Sequence, residues 1–258
     1  VSAALHVEDR EGGVRVLTLS NPARRNALDD ALLARLREAV DPAATRHVRA
    51  LLVRGEGGRA FCAGYDLTRL PDADAEGPLP DDFLAGTLRL LEAHPAPSVA
   101  LVQGAAYGAG CDLALACDFR VGAEGAVLCM PPARLGIVYA AEGLRRLVAT
   151  AGLPFARRMA LTGEAVPADR ALAAGLLDEV HPAERAEAAA LALCAGLASQ
   201  APLALAGMRE TFRRLAPALS AEDAEALRAL RREAFRSEDA REGRAAFQEK
   251  RPPRFTGR

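Results

Sequence analysis

The chain has no tryptophan and only three tyrosines in 258 residues. Each tyrosine therefore has to be accounted for by its own position, not as part of an aromatic core. Net charge is nearly absent too: 33 Lys and Arg oppose 34 Asp and Glu, a formal balance of −1. That leaves no global basic field to hold nucleic acid or an anionic membrane, so an anionic ligand must be met by local charges. No apolar run approaches the length of a bilayer span. The opening VSAALHVEDREGG lacks the basic start and apolar stretch of a signal peptide. Cys62, Cys111, Cys117, Cys129 and Cys194 are odd in number and carry no CxxC or histidine-rich pattern. Neither a disulfide framework nor a metal site is expected; each cysteine reads as a small buried hydrophobe in a reduced, cytoplasmic interior.

What is present is ordinary globular composition, 50% hydrophobic and 26% charged, long enough for one large core with an appendage. The first half alternates between strand and helix signals. Strands are expected at 14–19, 48–55, 98–104, 118–123 and 126–130, and helices at 27–40 and 82–93. The acidic, proline-rich segment 71–82 reads as a mobile surface loop. After about residue 141 the pattern is mostly helical. This order predicts an α/β core over 1–197 and a helical region over 198–258. LRALRREAFR, with acidic residues around it, reads as a solvated or subunit-facing helix, not a membrane-surface one.

Two strand ends turn through small residues, at RAFCAGYDL (59–67) and GAAYGAGCDLALACD (104–118). Glycine lets the backbone approach a ligand and present bare N–H groups. In the second case the helix that follows adds its positive dipole end. GAGCDL fails the last position of GxGxxG, and no Gly-Lys-Ser/Thr is present, so dinucleotide and P-loop readings are set aside.

NPARRNAL, RAFCAGYDL, QGAAYGAGCDLALACD, LTGEAVPADRALAAGLLDEV and EGRAAFQEKRPPRF resemble, in order and in register, the landmarks of the crotonase superfamily, the enoyl-CoA hydratase/isomerase family. The resemblance implies a spiral of ββα turns with a C-terminal helical trimerisation region, assembled as a homotrimer or a dimer of trimers. It also implies an acyl-CoA thioester as ligand. No separate cofactor is implied, because coenzyme A arrives as part of the substrate. By motif, the oxyanion hole would be the N–H groups of Tyr65, after Ala63-Gly64, and Ala109, between Gly108 and Gly110. One such donor is typically worth roughly 10²–10³ in rate. Arg24 or Arg25 and Arg59 match positions where basic residues meet CoA phosphates, and Phe247 with Lys250 matches a C-terminal pair that reaches CoA.

Hydratases of the family carry two glutamates. Here the first is replaced by Asp112, and in MPPARLG the second is replaced by Pro132, which offers neither acid nor base. Adding water across a double bond needs a base and a proton donor. Glu142 is a candidate substitute, but it opens an expected helix, where the dipole lowers basicity. Tyr65 and Tyr107 lie in the glycine corners, and Tyr139 follows the altered segment. Tyr107 reads as packing beneath its loop, whereas Tyr139 reads as functional. The stretch from Pro132 to Tyr139 resembles that of methylmalonyl-CoA decarboxylases, in which loss of CO2 itself generates the enolate. The resemblance thus implies an enzyme, either a malonyl-type-CoA decarboxylase using Tyr139 or a hydratase or isomerase using Asp112. The remaining reading is a non-catalytic acyl-CoA binder. A difficulty stands against the decarboxylase: an anionic Asp112 would repel the substrate's carboxylate.

Overall fold

The computed structural model describes residues 3–69, 79–215 and 220–258. Its main sheet contains β1 (Ala4–Arg10), β2 (Val14–Ser20), β3 (Ala50–Gly55), β5 (Ser98–Val102), β7 (Phe119–Ala123) and β10 (Glu179–His181) in the order β1-β2-β3-β5-β7-β10. Only the β1–β2 pair is antiparallel. A second sheet has the order β4 (Ala60–Cys62), β6 (Ala105–Tyr107), β8 (Val127–Cys129), β9 (Val166–Pro167), with β4, β6 and β8 parallel. The chain therefore visits the large sheet, then the small one, then a helix, three times. β3 and β4 precede α2 (Pro80–Ala93), β5 and β6 precede α3 (Ala109–Ala116), and β7 and β8 precede α4 (Ala141–Thr162). This is the ββα spiral the sequence led us to expect.

Local chemistry explains the elements. β3 and β5 are buried almost throughout because α6 (Ala183–Ala198) covers one face of the sheet and the main core, with the second sheet, covers the other, which is why they read as continuous apolar runs. α1 (Asp30–Ala39) starts where Asp29 caps the Leu32 N–H at 2.9 Å, three residues later than its apolar spacing begins. α2 begins at Pro80, two residues before the expected start, because proline suits a first helical turn. The expected loop at 71–82 lies mostly outside the described residues. α4 is broken at Gly152 (φ 75°, ψ 157°), just before Pro154, whose ring cannot continue an unbroken helix.

After α5 (Ala168–Ala173), α6 (Ala183–Ala198) packs its alanine face and Cys194 on the outer side of the main sheet. α7 (Pro202–Leu215), α8 (Ala221–Arg236) and α9 (Glu238–Glu249) follow. α8 is not simply solvated: Arg231 and Phe235 are buried against the chain's own core side. α9 returns onto the 132–135 turn, where a side chain at Gly243 would meet the Leu135 backbone. All five cysteines are buried thiols. Burial pushes Cys62, Cys117 and Cys194 up to about 12, so they are unreactive hydrophobes, as expected. No single helix among the described residues is long and apolar enough to cross a membrane.

One buried histidine gives the fold a pH dependence. His94 is fully buried, shares a 2.9 Å hydrogen bond with the Thr45 hydroxyl and accepts the Ala96 N–H. Burial pushes its pKa below the ordinary value. The unfolded chain takes up a proton near pH 6.5 that the native chain resists, so stability falls as pH drops below about 6.5. The expected result is a drop in Tm between pH 7.5 and 5.5 that is smaller in His94→Gln; equal slopes in the two proteins would contradict it.

Candidate active site

β4, β6 and β8 run parallel, so their C-terminal ends lie side by side and deliver three segments to one place. β4 ends in Ala63-Gly64-Tyr65, β6 in Gly108 and the start of α3, and β8 in Met130-Pro131-Pro132. The two glycine corners touch. Gly64 (φ 103°) lies so close that a Cβ there would sit 2.8 Å from the Tyr107 carbonyl oxygen and 3.7 Å from the Ala109 nitrogen. Gly108 (φ 51°) makes the turn into α3 and anchors it by donating to the Cys129 carbonyl at 2.8 Å. Ala63 is tethered by its N–H to the Arg25 carbonyl at 3.0 Å.

This geometry orients the two candidate oxyanion donors. Leu28 forms a parallel bridge with Tyr65: its N–H donates to the Gly64 oxygen, and its carbonyl accepts from the Asp66 N–H. Extended backbone alternates its polar groups, so the Tyr65 N–H faces away from Leu28. Ala109 is the first residue of α3, where an N–H has no intrahelical acceptor and the helix dipole is positive. Both residues line a cavity of about 560 Å³, a size typical of small-molecule sites.

Tyr65, Ala109, Ala63, Gly64, Gly108, Pro132, Tyr139, Arg24 and Phe247 all border this cavity. Tyr107, expected to pack beneath its loop, borders the cavity as well. Arg24 is exposed at the rim, donating to Asp66 at 2.9 Å and to Thr68 at 3.2 Å. Lys250 lines a smaller neighbouring cavity with Arg24 and Phe247. Two expected phosphate ligands are not brought to the cavity. Arg25 adopts a left-handed conformation (φ 53°) and contributes its carbonyl, while Arg59 is exposed and uses its carbonyl to accept from Ala105. Arg134 and Arg251, which the sequence reading passed over, do line the cavity, and Glu242 holds Arg251.

Asp112 does not line the cavity. It is 2% exposed, and Arg146 grips it with both arms of the guanidinium, Nε to Oδ1 at 2.7 Å and Nη2 to Oδ2 at 3.0 Å. Arg146 also donates to Glu92 at 3.2 Å. Burial works against the charge of Arg146, but the Asp112 carboxylate outweighs it and raises the guanidinium above its ordinary value. The Tyr139 hydroxyl donates to Asp112 Oδ2 at 3.2 Å while its ring borders the cavity. Glu142 lies in the first turn of α4, as expected, but is 3.5 Å from Arg89 and not on the cavity wall. The one carboxylate on that wall among the described residues, Asp66, is held by Arg24.

Residues 9–258 match the family model for enoyl-CoA hydratase/isomerase. The 2,3-dehydroadipyl-CoA hydratase of Escherichia coli K12 is 37% identical over 257 residues, 98% of each chain. The methylmalonyl-CoA decarboxylase of the same organism is 30% identical over 247 residues, 95% of each chain. Among solved structures, methylmalonyl-CoA decarboxylase in complex with 2-nitronate-propionyl-CoA superposes with a TM-score of 0.91 at 29% identity, covering 98% of each chain. An enoyl-CoA hydratase/isomerase from Pseudoalteromonas atlantica T6c gives 0.85 at 28% identity, over 98% of this chain and 99% of that one. The chain belongs to the enoyl-CoA hydratase/isomerase family, within the crotonase superfamily.

Proposed function

We propose that this protein is an enzyme that acts on an acyl-CoA thioester through an enolate held by the Tyr65 and Ala109 N–H groups, and that its reaction is decarboxylation of a malonyl-type CoA. The observation that carries the reading is the cavity wall beside those donors. It has Pro132 where a second glutamate would stand and the Tyr139 phenol at its edge, and the Asp112 carboxylate is turned away into Arg146. The carboxylate that such a wall does carry, Asp66, is held by Arg24, and decarboxylation needs no base.

The steps balance simply. The bond between the α-carbon and the carboxylate breaks, its electron pair passes into the thioester, and CO2 leaves. The charge that gathers on the thioester oxygen is met by two fixed donors and the N-terminus of α3. The Tyr139 hydroxyl then turns from Asp112 to give its proton to the α-carbon, and solvent reprotonates the phenolate. The expected repulsion between Asp112 and the substrate carboxylate is reduced because Arg146 pairs with both Asp112 oxygens and Asp112 lies off the cavity wall. Arg24 and Arg251 at the mouth suit the CoA phosphates.

The 37% identity to a hydratase favours a second reading, water addition with Asp112 as the base. It requires Asp112 to leave Arg146 and turn into the cavity. The two readings are tested by CO2 release from methylmalonyl-CoA against water addition to crotonyl-CoA. Release with the first and none with the second is expected; the reverse overturns the proposal, and inertness towards both favours a non-catalytic binder. Pro132→Glu restores the missing carboxylate and should make crotonyl-CoA hydration measurable where the unaltered protein shows none, since positioned acid–base groups contribute about 10²–10⁴; continued inertness towards crotonyl-CoA would contradict this.

The exposed apolar face of α7, with Leu203 87% and Phe212 69% exposed, supports assembly into a trimer or a dimer of trimers. Light scattering showing a monomer at micromolar concentration would contradict that assembly.

A further inference from the structure

The proposed chemistry leaves unexplained why the first two turns of α4 carry a buried arginine and a glycine on the same face. Gly143, Arg146 and Leu147 are the buried residues of that stretch. Arg146 reaches Asp112 on α3 and Glu92 on α2, so three helices meet at one guanidinium. A Cβ at Gly143 would overlap the Tyr139 ring and lie 2.8 Å from Asp112 Oδ2. The fork of Arg146 occupies both Asp112 oxygens, yet Oδ2 also accepts the Tyr139 hydroxyl. The position of that hydroxyl is thus set from behind the cavity by a chain running from Glu92 through Arg146 and Asp112.

We propose that Arg146 is a positioning residue, with Gly143 as the gap that admits the Tyr139 ring, and that together they fix the Tyr139 hydroxyl at the cavity edge and keep Asp112 out of acid–base work. This rests on the reading of Tyr139 as the proton-delivering group. Arginine is needed for its geometry: a lysine carries the same charge, but it is a point donor and cannot hold both carboxylate oxygens in one plane. Arg146 touches no substrate and acts only through Asp112. Its loss therefore appears in the reaction step and not in binding, since a displacement of about 1 Å at a reacting group costs on the order of a hundredfold.

The test uses Arg146→Lys and Gly143→Ala in the full-length protein, with steady-state CO2 release from methylmalonyl-CoA. Alanine is the better helix former, so Gly143→Ala disturbs Tyr139 and Asp112, not α4. Both variants are expected to lower kcat about ten- to a hundredfold and to leave KM within threefold. Arg146→Lys should also gain water addition to crotonyl-CoA, a gain lost again in Arg146→Lys/Asp112→Asn. Unchanged kcat in both variants, or a rise in KM that accounts for the whole loss, overturns the proposal. If the unaltered protein releases no CO2 from any malonyl-type thioester, it is the reaction reading that fails. A crystal structure of Arg146→Lys then decides the positioning claim: a Tyr139 hydroxyl shifted from Asp112 supports it, and an unmoved one overturns it.

Discussion

Tyr139→Phe lowers CO2 release by about 10²–10⁴-fold, the range for a positioned proton-transfer group, with KM within a few-fold of the unaltered protein. The substitution removes one oxygen and keeps the ring that borders the cavity, so packing and substrate binding survive. It leaves Asp112 still bound to Arg146, because the fork satisfies both carboxylate oxygens without the phenol. Loss of the hydrogen bond to Asp112 costs about 1 kcal/mol, and Tm should move by only a few degrees. Parallel measurement of Tm and kcat separates loss of chemistry from loss of fold. A tyrosine that only packs would give the opposite pattern, a lowered Tm with full turnover.

Gly64→Ala should cost a further distinct 10²–10³ in kcat, the value of one oxyanion donor. The residue has φ 103°, where an L side chain is strained, and its Cβ would sit 2.8 Å from the Tyr107 carbonyl oxygen. That carbonyl belongs to β6 and cannot yield without moving Gly108 and the start of α3. Relief must come from rotation of the Gly64–Tyr65 peptide, which swings the Tyr65 N–H off its line with Ala109. The loss should be equal for any thioester the enzyme turns over, because the donor serves the shared oxygen and not a particular acyl group. A loss confined to one substrate would place Gly64 in the acyl pocket instead.

The fold was legible where glycine and burial write strong signals. Strand ends that turn through AGY and GAG mark the corners, and the runs at β3 and β5 are apolar because both faces are covered. β1, β4, β6, β9 and β10 were not read; β9 and β10, of two and three residues, lie in the stretch expected to be mostly helical. β1 is an edge strand that is exposed along most of its length, and β4 and β6 have three residues each, too few to show a period. Within the site, Pro132 and Tyr139 were found through the family resemblance, Pro132 as a departure from its second glutamate and Tyr139 as a match to its decarboxylases. Arg146 was missed as one arginine in a charged helix. The signal was there: at i+3 from Gly143 and beside Leu147 it falls on the buried stripe, whereas Arg145 does not. Asp112 was read as the base of the alternative hydratase reading because it stands at the family's first glutamate position. Its side chain is engaged by an arginine 34 residues later in the sequence, and no local pattern reports such a partner.

Loss of CO2 from a malonyl-type thioester leaves an enolate that must take its proton from solvent-exchangeable groups. Incubation with methylmalonyl-CoA in D2O, followed by mass spectrometry of the thioester, tests this directly. The predicted product is propionyl-CoA carrying one deuteron at the α-carbon, formed as methylmalonyl-CoA loses CO2. Methylmalonyl-CoA recovered unchanged, with crotonyl-CoA gaining the elements of D2O under the same conditions, would contradict it.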